Sequence, residues 1–224
     1  MSFEEAELFE DNPDPRLACC LLLDCSYSMS GKPIQQLNEG LQAFRESLLD
    51  DERARRRVEI CVVRFGPVEV LQPFGPVDQL NLAPLQADGN TPLGEALLTG
   101  LDLLERRKAI YKQNGIHNYY RPWMFLITDG APTDHASVLQ EAQAKLGEAV
   151  RGKHLTFFPV GVEDADMDTL KHFNNGQAFR LHGLHFREFF LWLSSSVGMV
   201  SRADPGSGGI SLQKPSDNVM TIEI

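Results

Sequence analysis

No apolar run in this chain approaches the roughly 20 residues needed to cross a bilayer as a helix. The opening Met1-Ser2-Phe3-Glu4-Glu5-Ala6-Glu7 carries acids where a secretory leader has a basic start and an apolar core, so no signal peptide is expected and a cytoplasmic location is. Basic residues are also scarce. Lys and Arg number 21 against 31 Asp and Glu, a formal net charge of −10 that argues against non-specific attachment to nucleic acid or to an anionic membrane. Only four cysteines occur, and Cys19, Cys20, Cys25 and Cys61 all fall in or beside stretches that read as buried strands, where reduced thiols pack as small apolar groups. Adjacent Cys19 and Cys20 point to opposite sides of an extended chain, which excludes a disulfide or a zinc pair between them. Cys25, just past the apolar run, is expected to be the exposed one. The Gly-x-Gly-x-x-Gly fingerprint and the Lys-containing phosphate loop are both missing, which removes the common nucleotide-binding readings. Nor is there an internal repeat.

Residues 17–23 offer no side chain more polar than a thiol, as expected of a strand covered on both faces in a parallel sheet. Asp24 ends that run. Ser26 and Ser28 follow at alternate positions, so in a roughly extended loop their oxygens share one side with the carboxylate; Gly31 then permits a tight turn and Pro33 suits the first turn of a helix. Ligands of open α/β sheets gather at the C-terminal ends of such strands. With no His or Lys base nearby, one carboxylate and two hydroxyls make a poor catalytic triad but a good set of hard oxygen ligands for Mg²⁺ or Mn²⁺.

Two distant stretches extend the set. Gly89-Asn90-Thr91-Pro92 places a hydroxyl before an amphipathic helix, and Trp123-Met124-Phe125-Leu126-Ile127-Thr128-Asp129-Gly130 is a second apolar strand ending in an acid and a glycine. The order and spacing of these three motifs resemble the von Willebrand factor A family, whose metal-ion-dependent adhesion site is written Asp-x-Ser-x-Ser, then a loop Thr, then Thr-Asp-Gly after a strand. Asp24, Ser26, Ser28, Thr91 and Asp129 occupy all five positions, and the resemblance covers residues 16–200. It implies an ion, Mg²⁺ or Mn²⁺, contacted by both serines and the threonine, with the acids acting largely through water. It also implies an open coordination place that accepts a carboxylate from an Asp or Glu of a partner protein. Ser28-Met29-Ser30-Gly31-Lys32-Pro33 and Tyr120-Arg121-Pro122-Trp123 look like the stand-alone bacterial cytosolic TerY-like members linked to tellurium resistance and stress. That likeness implies partnership with a protein kinase and a phosphatase.

The alternating pattern predicts a doubly wound, Rossmann-like α/β fold: a mostly parallel six-stranded sheet with one antiparallel edge strand and helices on both faces. Strands are expected at 17–23, 58–65, 68–74, 123–128, 154–161 and 177–181, the second and third joined by a link too short for a parallel crossover. Helices are expected near 34–48, 93–111, 135–150, 167–173 and 184–200, with Pro132-Thr133-Asp134 capping the third of them. The charge run 50–57 reads as a solvated helix end and turn, because acids and bases are mixed in it. Tyr119 and Tyr120 read as packing against the sheet. His182 and His185 lack the partners of a metal pair. The chain divides into an N-terminal arm (1–15), one domain (16–200) and a C-terminal tail (201–224). Linker chemistry at 204–209 precedes two short alternating segments, 210–212 and 219–224, which suit either a disordered tail or strands that add to this or another chain.

The functional expectation is a non-enzymatic, metal-dependent protein-binding module. The rival is a Mg²⁺-dependent phosphoryl-transfer enzyme with Asp24 as nucleophile. Such enzymes usually carry a second acid two residues later, where this chain has Ser26, and no lysine is placed to balance the phosphoryl charge.

Overall fold

A computed structural model describes residues 12–162, 165–202 and 216–223. The strand furthest from solvent is the one with the longest apolar run. β1 (Leu17–Asp24) is buried at all eight positions, flanked in parallel register by β2 (Val58–Phe65) and β4 (Trp123–Thr128). β3 (Glu69–Pro76) turns back antiparallel on β2 at one edge, where Pro73 breaks no interior ladder. Beyond β4 come β5 (Thr156–Val162) and β6 (Ala178–Leu181), both parallel, and then β7 (Met220–Glu223), antiparallel to β6. The order β3-β2-β1-β4-β5-β6-β7 runs outward from β1 in both directions. The chain therefore reverses its winding between β1 and β4, and the crevice at their C-terminal ends is the place where this class of sheet binds ligands.

Alternation along β1 divides the core. Leu17, Cys19, Leu21 and Leu23 face α1 (Lys32–Asp50) and α6 (Phe186–Arg202) through Leu37, Phe44, Phe189 and Phe190. Ala18, Cys20 and Leu22 face the opposite layer, α3 (Leu93–Gln113), α4 (Ala136–Arg151) and α5 (Met167–Phe173). The charge run folds as a separate short helix, α2 (Glu52–Arg57), whose first N–H groups at Arg53 and Ala54 donate to the Asp51 carboxylate. Tyr120 is buried with its hydroxyl on the Ser201 carbonyl, and Tyr119 packs on Tyr111.

Among the described residues the sheet has seven strands where six were expected. Met220 is buried against the core, while Glu223 pairs with Arg180 and lies 3.6 Å from Lys171, so the second alternating segment closes the β6 edge of its own sheet. The first segment, 210–212, and residues 1–11 of the expected arm lie outside the described residues.

At the end of the sheet remote from the β1–β4 crevice, Arg16, Glu59, Arg107 and Tyr111 are all buried together. The Arg107 guanidinium donates to Glu59 at 2.7 Å, Arg16 lies 3.6 Å from the same carboxylate, and the Tyr111 hydroxyl donates to it. Burial and the neighbouring Glu59 charge push the Tyr111 phenol well above its ordinary range.

Candidate metal centre

Asp24 is the last residue of a strand buried at every position, and it stays at 0% exposure because the chain folds around it. One oxygen accepts the Ser26 N–H at 2.8 Å and the other accepts the Thr128 hydroxyl, which ties the ends of β1 and β4 together. The loop beyond does not stay extended as expected. Ser26 is extended, but Tyr27–Met29 forms a 3₁₀ turn with Met29 buried beneath it. That turn, rather than simple alternation, makes the hydroxyls converge: Ser26 Oγ and Ser28 Oγ are 2.9 Å apart, and Ser28 donates to Asp129 Oδ1 at 2.6 Å. Gly31 at φ +81° then makes the bend before α1, with Pro33 in its first turn, as its sequence predicts.

Thr91 reaches the same place from the other side of the sheet order. Its loop is fastened to the serine loop by two backbone bonds, Asp88 N–H to the Cys25 carbonyl (2.6 Å) and Tyr27 N–H to the Gly89 carbonyl (3.1 Å). Gly89, at φ +69°, lies so close to the β2–β3 turn that a Cβ there would stand 2.0 Å from the Gly66 carbonyl oxygen, so only glycine lets the two loops meet. Thr91 and Thr133 hold each other: the Thr133 N–H donates to the Thr91 carbonyl (2.9 Å) and the Thr91 N–H to the Thr133 hydroxyl (3.1 Å). A Cβ on Gly130 would lie 3.2 Å from Thr91 Oγ1 and 3.7 Å from Ser28 Oγ, so both hydroxyls sit over that bare backbone. The structure thus brings together all five residues singled out in the sequence. Asp24, Ser26, Ser28 and Asp129 are linked by hydrogen bonds, with Thr91 beside them.

The cap expected for α4 serves a different helix. Asp134 accepts the Gly94 and Glu95 N–H groups, both at 3.0 Å, and so caps α3, which follows Thr91. α4 starts after His135 with no side-chain cap. Thr128, Thr133 and Asp134 thus position the cluster without belonging to the five. The Thr-Asp-Gly motif hints at the first of them; the sequence marks Thr133 and Asp134 only as a local cap for α4, and nothing in it signals their bonds to the Thr91 loop and α3, which span about 40 residues. Cys25 also departs from expectation: it is 1% exposed, its thiol pushed up to about 12 by burial and the Asp24 charge, because the loop turns its side chain into the core.

The donor set suits a hard cation. Every side chain in the cluster offers oxygen, and no Lys or Arg forms an ion pair with Asp24 or Asp129 among the described residues. Burial pushes both carboxyls above their usual range, Asp24 further opposed by the Asp129 charge, while hydrogen bonds from Ser26, Thr128 and Ser28 pull the other way. Two carboxylates sharing a recess without a cationic side chain are short of positive charge, which a divalent ion would supply.

A family model described as von Willebrand factor type A domain matches residues 20–187. Inter-alpha-trypsin inhibitor heavy chain H4 from Homo sapiens is 28% identical over 171 residues, which are 72% of this chain and 18% of that protein. The chain therefore spans less than a fifth of the length of that relative. Among solved structures, the pilus adhesin SpaC from Lactobacillus rhamnosus GG superposes with a TM-score of 0.63 at 13% identity, covering 84% of this chain and 31% of that one. The von Willebrand domain of the type V pilus tip protein Mfa5 from Porphyromonas gingivalis superposes at 0.57 and 10% identity, covering 88% and 99%. These two likenesses concern the fold alone. With the family model spanning most of the sheet and both sides of the β1–β4 crevice, the chain belongs to the von Willebrand factor type A domain family.

Proposed function

We propose that this chain binds another protein through a divalent ion, Mg²⁺ or Mn²⁺, held by Asp24, Ser26, Ser28, Thr91 and Asp129 as an intact metal-ion-dependent adhesion site. The convergence of three hydroxyls and two carboxylates from three separate loops on one crevice supports this. Ser26, Ser28 and Thr91 offer neutral oxygens, Asp24 holds the serine loop to β4, and Asp129 orients Ser28. An ion in such surroundings keeps enough positive charge to attract an anionic ligand, here the carboxylate of a partner's Asp or Glu.

Asp24 supports binding over phosphoryl transfer. A phosphoryl acceptor must present an oxygen to its substrate, whereas both oxygens of Asp24 are engaged and none of the residue is exposed. Within the family we place the chain with the TerY-like cytoplasmic members, on the strength of residues 28–33 and 120–123, and hence in tellurium-resistance or stress signalling beside a kinase and a phosphatase. Among the described residues no helix is long and apolar enough to cross a membrane. We take residues 16–200 as the domain, with β7 completing its sheet.

Capture of a partner on the immobilised full chain, with Mg²⁺ and with chelator, tests this reading when repeated with Thr91→Ala, which removes one hydroxyl at constant net charge. Affinity should fall at least tenfold, about 1.4 kcal/mol, both on chelation and in the variant, with the melting curve of the variant nearly unchanged. Capture that persists at full strength in both conditions overturns it.

A further inference from the structure

The crevice does not end at the metal cluster. A groove of about 620 Å³ opens beside Thr91, with Asn90, Pro92 and Thr133 at its near end. Its apolar lining comes from Pro67, Val68, Pro92 and Val138, so it accepts the stem of a long side chain. Asp88, Glu95 and Asp134 supply its charge, and neither Lys nor Arg lines it. Two of these acids differ from the third. Asp134 already accepts the first N–H groups of α3, which removes the helix N-terminus as an attraction for an anion. Asp88 and Glu95 are exposed, and their carboxylates have no hydrogen-bond or ion-pair partner among the described residues. On the serine side of the same crevice, Tyr27 stands between Ser26 and Ser28 at 65% exposure, the largest among the described large apolar side chains. Its own N–H is bound to Gly89, so the ring and the groove share one backbone anchor.

We infer that the partner's docking segment carries a basic residue, Lys or Arg, within a few positions of the carboxylate that enters the metal site, with the basic side chain lying in this groove and a neighbouring residue packing on Tyr27. This rests on the metal-dependent reading above and adds the sequence chemistry that reading lacks. A lone acid would fit the cluster of any family member. The unpaired carboxylates of Asp88 and Glu95, both lining a groove whose other walls are partly apolar, select for a long cationic side chain and disfavour a second acid. The exposed Tyr27 ring, anchored through its backbone to Gly89 of the groove, gives a rigid apolar contact at small cost in conformational freedom, as aromatic anchors in interfaces do.

The test uses a random peptide library displayed on phage and selected on the full chain in Mg²⁺, in EDTA, and on the Asp88→Asn/Glu95→Gln and Tyr27→Ala variants. All three substitutions lie at exposed positions and should leave the melting curve unchanged. In Mg²⁺ the enriched peptides should contain Asp or Glu with Lys or Arg within about three residues. The double variant should still select the acid but lose the basic preference, and a selected peptide should bind it about tenfold more weakly, as expected when two exposed ion pairs are lost. Tyr27→Ala should weaken the same peptide several-fold. Enrichment of acidic peptides without Lys or Arg, or a basic preference that survives in the double variant, overturns the groove while leaving the metal reading standing. A basic preference that persists in EDTA and vanishes in the double variant supports the groove and overturns the metal reading. No enrichment in any arm overturns both.

Discussion

Gly130 carries no side chain, and a Cβ there would press on the Thr91 hydroxyl at 3.2 Å while standing in ordinary contact with Ser28 at 3.7 Å. Gly130→Ala should therefore crowd the cluster without removing a ligand or a charge. Calorimetry should show Mg²⁺ bound about three- to tenfold more weakly, roughly 0.7–1.4 kcal/mol, with little change in thermal stability; unchanged affinity would mean that Thr91 is not a ligand in this place. Glu59 tests the opposite end of the sheet. It is the shared counter-charge of buried Arg16 and Arg107, so Glu59→Gln should destabilise the fold by about 3–5 kcal/mol, a fall in melting temperature on the order of 10 °C, without changing metal affinity. A change under about 1 kcal/mol would show that those guanidinium groups find compensation elsewhere. The five cluster residues were legible in the sequence because each follows an apolar strand or precedes an amphipathic helix. Glu59 and Arg107 were not, since a single charge within a strand or helix carries no local sign of burial.

At the scale of elements, α3 depends on a residue 40 positions away. Asp134→Ala leaves the Gly94 and Glu95 N–H groups without their acceptor and should cost about 1 kcal/mol, a melting-temperature drop of about 2–4 °C, together with weaker metal binding because α3 fixes the end of the Thr91 loop. Strand β7 has its own dependence on pH. Hydrogen bonding and charge from Arg180, joined by Lys171, hold the Glu223 carboxyl below its ordinary 4.5. Its folded pKa being depressed, its contribution is present above that value and is lost as pH falls below about 4.5. Hydrogen-exchange protection of the β7 amides should drop over that window, and Glu223→Gln should abolish the dependence; equal pH profiles for the two proteins would contradict it. The fold class, the β2–β3 hairpin and the strand and helix order were readable from periodicity and link length. The cap of α3 was not, because side-chain capping across 40 residues leaves no spacing signal. Nor was the pairing of β7, because a short alternating segment after a linker fits several edges equally.

For the whole molecule, the core is independent of the cluster. Both apolar layers close around β1 with no contribution from Ser28 or Asp129. Chelation should accordingly lower the melting temperature without unfolding the protein: an ion at 100 times its dissociation constant contributes about 2.7 kcal/mol, or roughly 5–10 °C for a chain of this size. Unfolding in EDTA at room temperature would instead make the ion structural. The net charge of −10 favours cations over the whole surface, so metal binding by itself says little unless it is tied to the hydroxyls. The most direct measurement is a calorimetric titration of Mn²⁺ into the wild-type chain and into Ser28→Ala and Thr91→Ala, both of which leave the charge unchanged. The wild type should bind a single ion saturably and each variant at least tenfold more weakly. Equal titrations for all three proteins, or no saturable binding by the wild type, would contradict the assignment of Asp24, Ser26, Ser28, Thr91 and Asp129 as the metal site.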